Sequence, residues 1–307
     1  MGMFLLTLIA PALWAVANHL DKIIVSRYFH NASLGAMMVF SALIGMAVLP
    51  VAFILQDQAF AVGFMTPLVI VSNGCLYLIA VQLYLMALRV GDASSCVPIL
   101  QLTPVISFIL AYLVLGETLS TNQMLGGVLI VSGALLISLE ISKSERTRWR
   151  ADILGLMFLS SFLHSGQYLL FKVFATQINF WSTMFWESVG FVCFGIFLLV
   201  FVESYRRDFL AVFGKHRWAV GVNLIGEIVN ITGKITFNYV SLLIPITLAW
   251  LGVGFQSLFV LGYSLILTIF FPHIATENVL GSHLIQKTLA VGLMVVGAVV
   301  LTGVATP

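Results

Sequence analysis

Charge is scarce in this sequence: 8% of its 307 residues are Asp, Glu, Lys or Arg, against 61% hydrophobic residues. Ordinary soluble domains carry about 25% charged residues, so a water-exposed globule is excluded. Cysteine is scarce as well. Cys75, Cys96 and Cys193 all fall inside apolar runs, where the thiol behaves as a small hydrophobe. Neither a disulfide framework nor a metal-ligand spacing follows from them. The net charge is only +2, and no aromatic-basic surface stands outside the apolar runs, which removes nucleic acid as a partner. There is no P-loop, no His-Glu-x-x-His zinc helix and no nucleophile elbow, and the links between apolar runs are too short to house an ATPase. The expectation is a protein that is not an enzyme and uses no cofactor or metal.

Long apolar runs are what the sequence does have. A helix needs about 20 mostly apolar residues to cross the hydrocarbon core of a bilayer. Such stretches lie at 3–26, 33–55, 64–88, 93–115, 124–140, 152–173, 181–202, 218–240, 243–271 and 286–303. Runs such as "LLIPITLAWLGVGFQSLFVL" do not alternate, so a transmembrane β-barrel is excluded. The opening "MGMFLLTLIAPALWAVANHL" has no basic start and no small-residue cleavage site, and reads as a retained first helix. The fold class is therefore an all-α membrane protein with ten transmembrane helices.

The chain also echoes itself. At an offset of 150 residues Leu20 falls on Leu170, Lys22 on Lys172, Gly45 on Gly195 and Asn73 on Asn223. Glu117 and Glu277 match at 160, and Leu125, Leu129, Val131, Gly133 and Ala134 meet Leu289, Leu293, Val295, Gly297 and Ala298 at 164. This predicts a first five-helix repeat over 1–142, a basic connecting loop over 143–151 and a second repeat over 152–307. Five helices is an odd number, so the second repeat enters the membrane inverted, the arrangement by which many secondary transporters offer two accesses to one midplane site.

The stretch "YLMALRVGDASSCVPILQLTPVISFILAYLVLGETLSTNQMLGGVLIVSGALLI" resembles the fourth and fifth helices of the EamA-like ten-helix members of the drug/metabolite transporter superfamily. Ala87, Ala93, Ser94, Pro104, Gly116, Glu117, Gly126 and Gly133 occupy the signature places, and "ALWAVANHLDKIIV" resembles the family's first helix through Trp14, Asn18 and Lys22. The resemblance covers nearly the whole chain, more weakly in the second half. It implies two five-helix repeats around a central cavity that move small organic metabolites.

Glu117 and Glu277 sit where a helix ends, and are expected to cap backbone amides or to stay hydrated. Gly126, Gly127, Gly133 and Gly297 are expected to let helices approach closely. Functional residues are sought among polar groups deep in the spans, because ionisable side chains facing lipid are costly. Trp14, Asn18, Asp21 and Lys22 share one face of the first helix, and Ser161, His164, Ser165, Tyr168 and Lys172 share one face of the sixth. The lysines could instead snorkel to interfacial water. Asn223, Glu227, Asn230 and Lys234 recur at i, i+4, i+7 and i+11, one stripe in the eighth helix. There Glu227 either pairs with Lys234 or a helix neighbour, or carries a coupling proton or a substrate cation. Glu187, Asn73, Tyr77, Gln101 and Trp250 complete the candidate lining, although aromatic residues at helical spacing also serve ordinary packing.

Apart from Lys22, Lys172 and Lys234, every Lys and Arg lies in an odd-numbered connection between spans. The positive-inside rule then makes those connections cytoplasmic and both termini external, against the usual orientation of the family resembled. The leading expectation is a secondary active transporter or exchanger of a small metabolite in the inner membrane of a prokaryote. Its partners would be the solute, the lipid bilayer and a coupling proton, and a monomer suffices. The alternatives are a flippase for a lipid-linked sugar or similar amphiphile, and a non-transporting scaffold or receptor.

Overall fold

The computed structural model describes residues 2–28, 34–56, 59–90, 99–100, 102–138, 151–215, 217–270 and 281–303. Every described element is a helix: α1 Gly2–Leu6, α2 Ile9–Tyr28, α3 Leu34–Leu43, α4 Gly45–Leu55, α5 Met65–Val90, α6 Thr103–Leu115, α7 Thr121–Ser138, α8 Ala151–Gln177, α9 Phe180–Phe201, α10 Glu203–Lys215, α11 Arg217–Leu243, α12 Ile246–Val253, α13 Gln256–Phe270 and α14 Gly281–Thr302. Six stretches among the described residues are long and apolar enough to cross a membrane: Gly2–Asp21, Met37–Leu55, Met65–Ala87, Asp152–Gln177, Phe180–Phe201 and Ile246–Phe270. The shorter helices Thr103–Leu115, Thr121–Leu136 and Gln286–Thr302 are equally apolar in character. The 27 residues of α11 are long enough, but its polar stripe dilutes its hydropathy, and that stripe is turned inward.

Three of the apolar runs carry a local irregularity in their helical hydrogen bonding. Between α1 and α2 the Thr7 hydroxyl donates to the Phe4 carbonyl at 2.6 Å, and Pro11 offers no N–H to continue the ladder from Thr7. A second break, at Ile44, separates α3 from α4, which carries Pro50. The third run divides at Gly254 and Phe255, between α12 and α13.

The main helix contacts interleave the two halves of the chain. The pairs are α7 with α14, α5 with α8 and α9, α2 with α11 and α13, α4 with α9, α6 with α8 and α12, and α3 with α10. Small residues set these approaches. A Cβ on Gly126 would stand 2.5 Å from the Gly297 carbonyl oxygen, and one on Gly133 would stand 2.7 Å from that of Ala290. As the residue number rises along α7 it falls along α14, so the two helices run antiparallel. Gly45 against Val192 and Gly195 against Ala42 repeat the antiparallel pattern between the second span and α9. Lipid tails supply no hydrophobic drive for helix association, so these backbone approaches are where the bundle gains its dispersion energy.

One element departs from the expectation of a plain connecting loop. Residues 203–215, "ESYRRDFLAVFGK", form the amphipathic helix α10. Tyr205 and Phe209, one turn apart, lie against the second span: Tyr205 on Gly35 and Phe209 with its ring 4.8 Å from that of Phe40. The basic character of the segment masks this helical period in a reading by composition.

Candidate functional site

The close meeting of α5 and α9 builds the centre of the molecule. A Cβ on Gly74 would stand 3.1 Å from the Gly190 Cα, so the two backbones touch there. That contact brings the preceding residue of α5, Asn73, onto Glu187 of α9, its amide donating at 3.3 Å to the carboxylate and at 3.0 Å to the Gln167 carbonyl of α8. From α11, Lys234 enters the same space with Nζ 3.3 Å from Glu187 Oε1 and 3.4 Å from Gln167 Oε1. Glu187 and Lys234 are both fully buried.

Aromatic rings close around this pair. Lys234 Nζ lies 4.5 Å from the ring centre of Tyr77 and 4.3 Å from that of Tyr168. Phe237 and Trp250 pack beyond Tyr168, at 4.7 Å and 5.3 Å between ring centres, and His164 meets Tyr77 edge to face. A cation over desolvated aromatic faces gains roughly 2 kcal/mol. Burying the two ions still costs several kcal/mol each, and such pairs contribute little net stability. Buried ionisable groups of this kind make the pair a candidate functional feature. Polar capacity remains beside them. Asn73 Oδ1, Gln167 Nε2, Glu187 Oε2 and Trp250 Nε1 are buried without a hydrogen-bond partner among the described residues.

The stripe on α11 continues towards α2 and α3. The Glu227 carboxylate accepts a hydrogen bond from the Ser41 hydroxyl, and Asp21 lies against Gly226. Glu227 is thus not paired with Lys234, which is taken by Glu187. Among the described residues no cation contacts Glu227, and both amide atoms of Asn223 are buried with no partner. Trp14 lies on Gly233, stacks on Phe237 and donates its indole N–H to the Asn230 carbonyl at 3.1 Å. Through Phe237 the face of α2 and that of α8 converge. Asn18 is exposed on α2, and the side chains of Lys22 and Gln101 lie outside the described residues, as does Glu277.

Lys172 stands apart from this centre. Its ammonium meets Glu117 Oε1 at 2.5 Å and donates to the Ile244 carbonyl at 2.9 Å, while Glu117 Oε2 accepts from the Ile246 amide at 2.9 Å. The ion pair straddles Pro245, satisfying one orphan carbonyl of α11 and one orphan amide of α12. Glu117 does cap an amide, but that of a helix far along the chain. Lys172→Ala is expected to lower the thermal midpoint of the purified protein, by the equivalent of about 1–3 kcal/mol for a partly buried pair. Adding Glu117→Gln should then cost little more, because the two share one interaction. Additive losses in that double-variant cycle would show that the residues act separately.

Gln167 and Ser41 are the residues that sequence reasoning left out. Gln167 carries a legible signal, three positions after His164 on the polar side of α8. Ser41 carries none, since a lone serine in an apolar run also bonds readily to its own helix.

Residues 1–139 match the model of the EamA-like transporter family, part of the drug/metabolite transporter superfamily. No curated protein matches the sequence. A solved crystal structure is similar over 99% of this chain and 97% of its own, with a TM-score of 0.62 and 13% sequence identity. At that identity the likeness concerns the fold alone.

Proposed function

We propose that the chain, whose residues 1–139 match the EamA-like transporter family, is a secondary transporter or exchanger of a small organic metabolite, working by alternating access. The observation that carries this reading is the fully buried Glu187–Lys234 pair, ringed by Tyr77, Tyr168, Asn73 and Gln167 at the junction of α5, α8, α9 and α11. Polar groups with spare hydrogen-bonding capacity beside aromatic walls suit a small solute better than they suit helix packing.

The scaffold of this proposal is ten spans in two inverted repeats, 1–142 and 152–307. The helix pairings support it, because exchanging the halves maps them onto one another: α2 on α11 becomes α8 on α5, and α2 on α13 becomes α8 on α6. The antiparallel crossing of α7 and α14 exchanges with itself. The central ions break the symmetry. At the offset of 150, Glu187 and Lys234 correspond to Met37 and Tyr84, so one repeat carries the charges. With the Lys and Arg bias, the odd-numbered connections face the cytoplasm in this scheme.

Glu227 is the proposed coupling group. In this reading a proton or a cationic group on the solute balances its charge. A thermal-shift screen on purified protein selects candidate solutes, and uptake into proteoliposomes tests them. Saturable uptake that accumulates with a pH gradient is expected. Glu227→Gln should abolish the accumulation and retain exchange at equal pH. A Glu227→Gln protein that still concentrates solute with an unchanged pH profile would remove Glu227 from the coupling step. Failure of every binding solute to cross the bilayer would remove the transporter reading itself.

A further inference from the structure

The helix α10 and the shorter connection that corresponds to it in the first half are opposite in chemistry. At the offset of 150, residues 206–214 fall on 56–64, "QDQAFAVGF", which contains one aspartate and no Lys or Arg. The segment 203–217 contains Arg206, Arg207, Lys215 and Arg217. In an inverted scaffold these two links emerge on opposite faces of the membrane. The difference therefore separates one face of the molecule from the other.

The structure shows how the helix is held. Tyr205 and Phe209 face the protein, against Gly35 and Phe40, and the Tyr205 hydroxyl accepts from the Gln82 amide at 3.3 Å. Arg206 turns back, its guanidinium donating to the carbonyls of Leu199 and Val200 at the end of α9. Arg207 has 75% of its side chain exposed, with only a loose contact of 3.8 Å to Asp208. In the same stretch of chain, Phe201, Leu210 and Trp218 are 73%, 59% and 58% exposed. Exposed apolar and aromatic groups next to outward cations, at the ends of membrane-crossing helices, describe an element lying at the depth of the lipid headgroups. Water alone would leave Phe201, Leu210 and Trp218 unfavourably hydrated, while the hydrocarbon core would strand Arg207.

We infer that α10 is an anionic-phospholipid site: Arg206 and Arg207 engage headgroup phosphates of one leaflet, while Leu210 and Trp218 enter the acyl boundary below them. The inference goes beyond the transport reading and does not need it, because it requires only that the chain is embedded. The occupant is a phospholipid with net negative charge. A zwitterionic headgroup carries its own ammonium and offers the guanidinium groups no net attraction.

The test uses the full chain reconstituted with an equimolar mixture of phosphatidylcholine and phosphatidylglycerol, followed by gentle extraction and native mass spectrometry of the lipid that stays bound. Retained phosphatidylglycerol should exceed phosphatidylcholine, and the excess should shrink as salt rises. The R206Q/R207Q variant should lose that preference by about tenfold or more, while R206K/R207K keeps most of it. Because Arg206 also caps α9, R207Q alone is measured beside them, and a several-fold loss there locates the effect in the exposed guanidinium rather than in helix fraying. Equal retention of the two lipids by the unaltered protein overturns the inference. So does a phosphatidylglycerol preference that survives in R206Q/R207Q.

Discussion

Lys234→Met is expected to be the most damaging single substitution in the molecule, leaving Glu187 as a bare carboxylate in a fully buried position. Removing one partner of such a pair costs about 3–5 kcal/mol, enough to unfold a large share of a marginally stable protein. The Lys234 ammonium also fills the space between Tyr77 and Tyr168, so the loss includes packing. The double variant Lys234→Met with Glu187→Leu removes both charges and should recover most of the folded protein, because an uncharged pair of similar volume avoids the desolvation cost. Transport should not recover with it. The readouts are the yield of monodisperse protein and solute uptake per folded molecule. A double variant that folds and transports normally would show that the pair serves packing only. A single variant as stable as the unaltered protein would show that Glu187 has another partner.

Gly74→Ala is expected to have the next largest effect. The added methyl would meet the backbone of Glu187 and Gly190, atoms that cannot rotate away as a flexible side chain can. Forcing a methyl into a closed contact costs typically 1–3 kcal/mol, and here it also moves Asn73 off Glu187, loosening the central site. Gly155→Ala supplies the comparison, since a Cβ at Gly155 meets nothing within 4 Å and alanine favours a helix. Thermal midpoints should fall for Gly74→Ala and hold or rise for Gly155→Ala. If both behave alike, α5 and α9 do not touch at this point.

Most of the helix plan was legible because burial in lipid demands long apolar runs, and such runs are visible without any knowledge of partners. The local irregularities were harder to see. Pro11 announces one, whereas the irregularity at Gly254 and Phe255 has no proline to mark it. In the site, the stripe Asn223, Glu227, Asn230 and Lys234 was legible because its period is helical. Its pairing was not. Lys234 and Glu227 share one helix face and look like natural partners, whereas the ion that meets Lys234 is Glu187, 47 positions away in the sequence. That pairing is a tertiary fact, made where α9 and α11 bring Glu187 and Lys234 together. Lys172 presents the same difficulty in another form. A lysine near a span end reads as snorkelling, and only the fold brings Glu117 and the Pro245 break to it.

The interleaving of the halves also has a consequence for how the protein is made. A ribosome delivers residues 1–138 first, yet Gly126, Gly74, Asn73 and Glu117 all find their partners in residues 151–303. Until those residues arrive, the nascent first half has no finished neighbour for its small-residue faces and no counter-ion from α8 for Glu117. The packing that joins α5 to α8 and α9, and α7 to α14, can form only after those later helices are made. A message truncated after the first half is therefore expected to yield helices that lack most of the packing partners they have in the whole protein.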